Sequence, residues 1–424
     1  MGSISLQHNP LISLATDILH HTNELSSLLA QNGIPLQTWD EDALDDYTET
    51  GPEGAQIQKA RYALLDTLTS LQRLVLGPSE HIRALVSNAP IDSGTMRAIV
   101  KLKLPQFVPF GSSISFKDLA TETNVNQDIL TRIIRYSITN GIFREQPPGH
   151  VCHTAASAAL ARGDIGVAMS WSAEVPLLSA VRLVEAIPTT GQDSRTAAFN
   201  IAYGTEDTMW EYQKKHPELD KIFGENMATE LGDSRLSPMH AVSGFNWAKL
   251  EGGMVVDVGG STGHISMAIV EKFPKIRFLV QDLYHDRLPS SKKALNQICF
   301  QHHDFFTPQT ISPPDAFFIR YIFHNWSDEA VVRIVQALKP ALRKGARLLV
   351  NEYLGPVGRK DEVGHFEERT YRLRDMQMLA LLDAKERSLD DYIELVSRAD
   401  ERFKFVGSIT PPGSSMSVIE WVYA

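Results

Sequence analysis

Val255-Val256-Asp257-Val258-Gly259-Gly260-Ser261-Thr262-Gly263 reads as an apolar strand that runs directly into a glycine-rich turn. β-Branched residues favour the strand, and glycines permit the tight turn and the close backbone approach that open a nucleotide-binding βα unit. The spacing Gly259-Gly260-x-x-Gly263 departs from the dinucleotide pattern G-x-G-x-x-G, so an ordinary strand-to-helix turn is a second reading of the same residues. Two downstream carboxylates favour the first. Asp282 ends the next strand-like run, roughly 20 residues past the turn, where it can accept from both hydroxyls of a ribose. Asp304, in His302-His303-Asp304-Phe305, follows the third run, placed to accept from an adenine amino group beside the Phe305 ring. A single Asp at a strand end is commonly a turn or capping residue, so the set says more than its members.

From Gly252 onward, short apolar runs at 277–281, 298–301, 316–323 and 346–352 alternate with helix-length segments such as 328–342, which predicts a parallel sheet. Residues 403–407 and 416–423 are two further runs joined by Thr410-Pro411-Pro412-Gly413-Ser414, which predicts a closing antiparallel hairpin. His324 stands where the run 316–323 gives way to Asn325-Trp326-Ser327-Asp328-Glu329. Ligands of open α/β sheets bind at the carboxyl ends of the strands, so an imidazole there is a candidate general base. The plainer reading is a histidine that caps the next helix or packs on Trp326.

Upstream, Leu11, Leu14, Ile18, Leu25 and Leu28 recur at helical spacing. After an acidic loop over 40–53, so do Leu64, Leu68, Leu71 and Val75, up to Gly77-Pro78. Such stripes suit either subunit pairing or packing on the rest of the chain. Residues 115–143 read as a winged helix: Ser115 and Asp118 form a capping box, and Asn126 caps a second helix with Ile129, Ile133 and Ile134 inward. Gly141-Ile142-Phe143 begins the wing. That second helix offers only Arg132 and Arg135 as cations, which argues for a scaffold over a DNA reader.

The chain has 424 residues, 43% apolar and 22% charged, the composition of two or three globular domains. A formal charge of −10 without a basic stripe disfavours nucleic acid. Cys152 and Cys299 are far apart and lack metal-type spacing, which suits two thiols in a reducing, cytoplasmic setting. Within residues 1–6, position six is Leu6 and not the serine or threonine expected for myristoylation, no secretory pattern is visible, and no apolar run approaches the ~20 residues that span a bilayer.

The glycine turn, Gln281-Asp282-Leu283, His303-Asp304-Phe305-Phe306, Arg320 and His324-Asn325-Trp326-Ser327-Asp328-Glu329 together resemble the S-adenosylmethionine-dependent O-methyltransferases of the plant caffeate/flavonoid type and their fungal secondary-metabolite relatives. The resemblance spans residues 90–424. It implies an α/β fold, a Rossmann-like methyltransferase sheet with a C-terminal antiparallel hairpin, preceded by a helical and winged-helix dimerisation domain. The expected domains are a helical extension over 1–90, the winged-helix region over 91–165, linking helices contributing to a substrate pocket over 166–250, and a catalytic domain over 251–424. It further implies S-adenosyl-L-methionine as cofactor, held by Gly259, Asp282, Asp304, Phe305 and Arg320, the last standing where the family commonly has lysine. His324 falls on the catalytic base and Glu352 and Glu386 on its flanking acids, with no metal. Met227 and Met378 fall where the family sandwiches an aromatic acceptor. A homodimer acting on a small hydroxylated aromatic, with no nucleic-acid or membrane partner, is expected. One departure is Asn325, where plant relatives usually carry aspartate. The competing reading is a pericyclase or dehydratase that keeps the cofactor on the same fold; there the base position is typically Arg or Lys, and retention of His324, Glu352 and Glu386 favours methyl transfer.

Overall fold

In a computed structural model of the chain, the residues described are 9–44, 51–187, 196–230, 233–283, 296–355 and 364–424. Residues 1–6, read above for targeting signals, and 45–50 of the acidic loop lie outside them. The chain forms two compact units. One comprises Met1–Glu185, Ala198–Glu230 and Gly364–Glu367, the other Ala186–Ala197, Leu231–Val363 and Glu368–Ala424.

The first unit is mainly helical. The helix Pro10–Gln31 lays Leu14, Ile18, Leu25, Leu28 and Leu29 inward and packs on the helix Gly51–Arg83. Part of the first stripe is therefore satisfied within the chain. The second helix is interrupted where expected, since Gly77 adopts φ 68° and ψ 170° and Pro78 follows it. The winged helix is present: β1 (Ile114–Ser115), β2 (Arg144–Glu145) and β3 (His150–Cys152) pair in the order β1-β3-β2 around the helices Phe116–Thr123 and Gln127–Thr139. Ser115 accepts from the Asp118 N–H and donates to its carboxylate, and Asn126 accepts from the Asp128 and Ile129 amides. The expected inward face needs one correction. Leu130 and Ile134 are buried, whereas Ile129 is exposed. Arg132 lies near Asp128, and Arg135 makes a two-point ion pair with Glu145 at 2.9 Å, so both cations of the second helix have acidic partners.

The second unit holds a seven-stranded sheet in the order β6-β5-β4-β7-β8-β10-β9. Its strands are β4 (Met254–Val258), β5 (Arg277–Asp282), β6 (Ile298–His302), β7 (Ala316–Arg320), β8 (Arg347–Tyr353), β9 (Phe403–Ile409) and β10 (Met416–Tyr423). β4 to β8 are parallel, and β10 is antiparallel to both β8 and β9. The predicted hairpin is thus folded back so that its second strand lies inside. Alternation divides the core. Val256, Phe317, Ile319, Leu348 and Val350 face the helices Asp328–Ala337 and Leu389–Ala399, while Val255, Phe278, Phe318 and Leu349 face Trp247 and the helix His264–Lys272. Both faces are covered, which is why β7 reads Ala-Phe-Phe-Ile without a polar break.

β7 is shorter than its apolar run suggests, ending at Arg320. Tyr321 takes φ 60°, the left-handed region, and Phe323–Asn325 forms one 3-10 turn. His324 therefore projects from a turn and not from the strand. The sheet order reverses between β4 and β7, so the glycine turn and the histidine turn emerge side by side at the topological switch point.

Candidate active site

Asp257, the penultimate residue of β4, is buried and accepts from the Ser266 hydroxyl at 2.6 Å. Burial, only partly offset by that bond, pushes its carboxyl up to about 6. A Cβ on Gly260 would lie 2.5 Å from the Asp257 carboxyl carbon, so this position requires glycine. Gly259 and Gly263 both take φ 72°, and the Gly259 and Gly260 amides donate to the Gln281 carbonyl at 2.7 and 3.2 Å. Gln281 is itself pinned by paired amide bonds with Gln309 at 2.7 and 3.0 Å. These contacts fix the mouth of the turn beside the end of β5.

Asp282 sits at that end, its Oδ2 accepting from the Ser261 N–H at 2.9 Å. Asp304 accepts from the Phe306 amide at 2.9 Å in a side-chain turn, which orients Phe305. The Phe305 ring meets Trp326 edge-on with centroids 5.9 Å apart, and lies 3.8 Å from where a Gly259 Cβ would be. Gly259 and Phe305 are thus neighbours, and Asp282 is bonded to the turn at Ser261. The chemistry of these residues fits an adenosyl group: glycines that let a ligand approach the backbone, a carboxylate bonded to the turn, and an aromatic ring beside it. Arg320 is placed differently from a freely reaching cofactor ligand. It is half-buried, with Nη1 donating to Asn351 Oδ1 at 2.6 Å and Nη2 to the Leu236 carbonyl at 2.9 Å. Burial lowers its pKa. His264, which the sequence reading passed over, opens the helix behind Gly263, and burial pulls its pKa down to about 4.

The histidine turn has its own supports. Glu352 is fully buried on β8, and its Oε1 accepts from the Ile322 and Phe323 amides at 2.8 and 2.7 Å. Glu386 places Oε1 2.9 Å from His324 Nδ1. Both acids are expected from the family resemblance to flank the base. The geometry divides them, since Glu386 bonds the imidazole and Glu352 bonds the backbone that presents it. Burial raises the Glu352 pKa, against the pull of His324 and the two amides. For His324, burial works downward, but the charges of Glu386 and Glu352 and the Glu386 bond more than reverse it, and the pKa is raised. His324 Nε2, Glu352 Oε2 and Glu386 Oε2 are buried without a hydrogen-bond partner among the described residues. Donor atoms of the three residues lie within 4.8 Å of one another, a set that a divalent cation could use. His324 Nδ1 and Glu352 Oε1 are, however, already engaged in hydrogen bonds.

Tyr321 was not legible as a site residue. Its ring lies 4.4 Å from that of His324, and its hydroxyl accepts from Arg374 Nη1 at 2.6 Å. A left-handed φ at a bulky residue is a costly conformation that clusters at functional sites. His324 does not cap the next helix; Ser327 does, accepting from the Ala330 amide. Met378 is half-buried on the helix His365–Leu382 of the second unit. Met227 is half-buried on the helix Pro217–Glu230 of the first.

Residues 181–401 match the O-methyltransferase domain family, and residues 85–163 match the O-methyltransferase dimerisation domain. The chain belongs to the O-methyltransferase family. Among its relatives, the O-methyltransferase pyvH of Aspergillus violaceofuscus is 33% identical, the alignment covering 97% of this chain and 98% of that one. The fold is shared with OxaC, solved in complex with SAH and oxaline, at a TM-score of 0.72, 19% identity and coverage of 97% and 100%. It is shared also with LepI, solved in complex with SAH and a substrate analogue, at a TM-score of 0.69, 20% identity and coverage of 87% and 95%. This O-methyltransferase uses S-adenosylmethionine, and among its described residues no helix is long and apolar enough to cross a membrane.

Proposed function

We propose that this O-methyltransferase methylates a hydroxyl of an aromatic, polyketide-like secondary metabolite, with His324 as the general base. The observation that carries this reading is the 2.9 Å contact of His324 Nδ1 with Glu386, which leaves the buried Nε2 as the ring atom available to a substrate. Glu386 accepts the Nδ1 proton and so selects the tautomer whose Nε2 carries a lone pair. Bound S-adenosylmethionine supplies an electrophilic methyl group on a sulfonium. As the acceptor oxygen bonds that methyl and the S–C electron pair returns to sulfur, His324 Nε2 takes the hydroxyl proton. Such assistance is worth typically ~10²–10⁴-fold. The imidazolium that forms is stabilised by Glu386, and Glu352 keeps the turn from recoiling.

Gly259, Asp282, Asp304 and Phe305 are proposed to hold the adenosyl group, with Arg320 bracing the base of the site through Asn351. Met227 on the first unit and Met378 on the second are each proposed as an acceptor contact, since a thioether adapts to a flat apolar ring. A homodimer is supported by the dimerisation-domain match and by exposed Leu68, Leu74, Val75, Ile82, Leu85 and Val86 on the first unit. A reducing cytoplasmic setting is supported by the free thiols Cys152 and Cys299.

The direct test is incubation with labelled S-adenosylmethionine and a panel of aromatic polyketides. A product heavier by one methyl group, with equimolar S-adenosylhomocysteine, is expected. A product of unchanged mass formed without S-adenosylhomocysteine would favour a pericyclic or dehydrating enzyme on this fold.

A further inference from the structure

Directly after Glu386 comes Arg387, a guanidinium with no exposed surface. Nη1 donates to the Phe323 carbonyl at 2.8 Å and Nη2 to the Trp326 carbonyl at 2.6 Å. Nε and Nη2 both reach Asp328 Oδ1, at 2.9 and 2.8 Å. Phe323 and Trp326 are the residues that bracket the His324 turn. Its amides at Ile322 and Phe323 rest on Glu352, as described above, so its carbonyl side rests on Arg387. The Arg387 carbonyl in turn accepts from the Gly355 N–H at 3.1 Å, and the backbone bridges Leu354, two residues beyond Glu352. One dipeptide therefore carries both the carboxylate that orients the imidazole and the fork that holds its backbone.

We propose that Arg387 is a positioning residue for the base, clamping the Phe323 and Trp326 carbonyls so that His324 keeps its register with Glu386. The inference rests on the reading of His324 as base. Stability alone is a poor reason for the residue, because the desolvation of a buried ion offsets much of what its pairing contributes. The planar fork matters instead. It reaches two carbonyls and a carboxylate from one rigid group, which a lysine ammonium on a flexible stem cannot do. Misplacing a reacting group by 1 Å can cost on the order of 10²-fold in rate. Asp328 and Lys385, which pair at 2.8 Å, supply the remaining charge around the clamp.

The test compares Arg387→Lys, which keeps the charge opposite Asp328 and loses the fork, with Asp328→Asn, which removes the ion pair and leaves both carbonyl contacts. Arg387→Lys is expected to bind S-adenosylhomocysteine as wild type does and to lose about 10–100-fold in kcat. The acid limb of its kcat–pH profile should move to lower pH, because the imidazole loses part of the support of Glu386. Asp328→Asn should move that limb in the same direction by a smaller amount, because the fork keeps its two carbonyls and loses its charged anchor. A folded Arg387→Lys with unchanged kcat and limb overturns the proposal. So does an Asp328→Asn enzyme whose kcat and limb are those of wild type, and this arm decides even where Arg387→Lys does not fold. His324→Ala run alongside separates the two levels: full activity there sinks the base reading, whereas an inactive His324→Ala with an unaffected Arg387→Lys sinks the clamp alone.

Discussion

A Cβ on Gly259 would stand 2.6 Å from Ile322 Cδ1. The glycine turn and the turn that carries His324 are thus in direct contact, so the proposed cradle for the methyl donor abuts the proposed base. In-line methyl transfer needs little beyond such alignment, so this contact is where positioning enters the rate.

Gly259→Ala should accordingly weaken S-adenosylhomocysteine binding about tenfold. The new methyl meets Ile322, and alanine is strained at φ 72°, a cost of about 1–2 kcal/mol. Calorimetry that finds wild-type affinity would detach Gly259 from the cofactor cradle.

Asp282→Ala should cost about 1.5–3 kcal/mol of S-adenosylhomocysteine affinity through loss of charge-assisted hydrogen bonds. Its Oδ2 already holds the Ser261 amide, so part of the loss will reflect a loosened turn. Asp282→Asn keeps that acceptor, and an intermediate affinity in this variant would identify the part that depends on charge.

The pH dependence follows from His324. The groups facing it are Glu386, Glu352, the Arg374 guanidinium and the Tyr321 ring, and the two carboxylates prevail in raising its pKa. A base must be neutral to act, so kcat should rise with pH through an apparent value above the ordinary ~6.5. Glu386→Gln should move that limb downward. The same shift makes a stability statement: the folded value is raised, so the stabilisation is fully present below the unfolded value and is lost as pH rises through the folded one. An acid limb at or below the ordinary value, unmoved by Glu386→Gln, would contradict the assignment.

Much of the catalytic unit was legible because its signals are local. Glycine before a helix and alternating apolar runs carry their own physics, and His324-Asn325-Trp326-Ser327-Asp328-Glu329 is now explicable residue by residue. Trp326 packs on Phe305 and Phe306, Ser327 caps a helix, and Asp328 anchors Arg387. What escaped depended on distant partners. On the second winged-helix helix Ile133 and Ile134 do pack on the core, but Leu130 takes the place expected for Ile129, a shift of one residue that only packing selects. The run after β7 looked like strand through Phe323, but the amides of Ile322 and Phe323 go to Glu352 instead of a neighbouring strand. Arg387 carries no sequence signal of its own; its burial is set by carbonyls distant in sequence.

Light scattering should give the mass of two chains at micromolar concentration, from the exposed apolar residues of the first unit and the dimerisation-domain match. A stable full-length monomer would end that part of the account.

The most direct test of the central claim is single-turnover production of S-adenosylhomocysteine by His324→Ala with a phenolic acceptor. The account predicts a fall of roughly 10²–10⁴ in rate with cofactor affinity nearly intact, and partial recovery at high pH as phenolate forms without help. Undiminished S-adenosylhomocysteine formation by His324→Ala at neutral pH would contradict it.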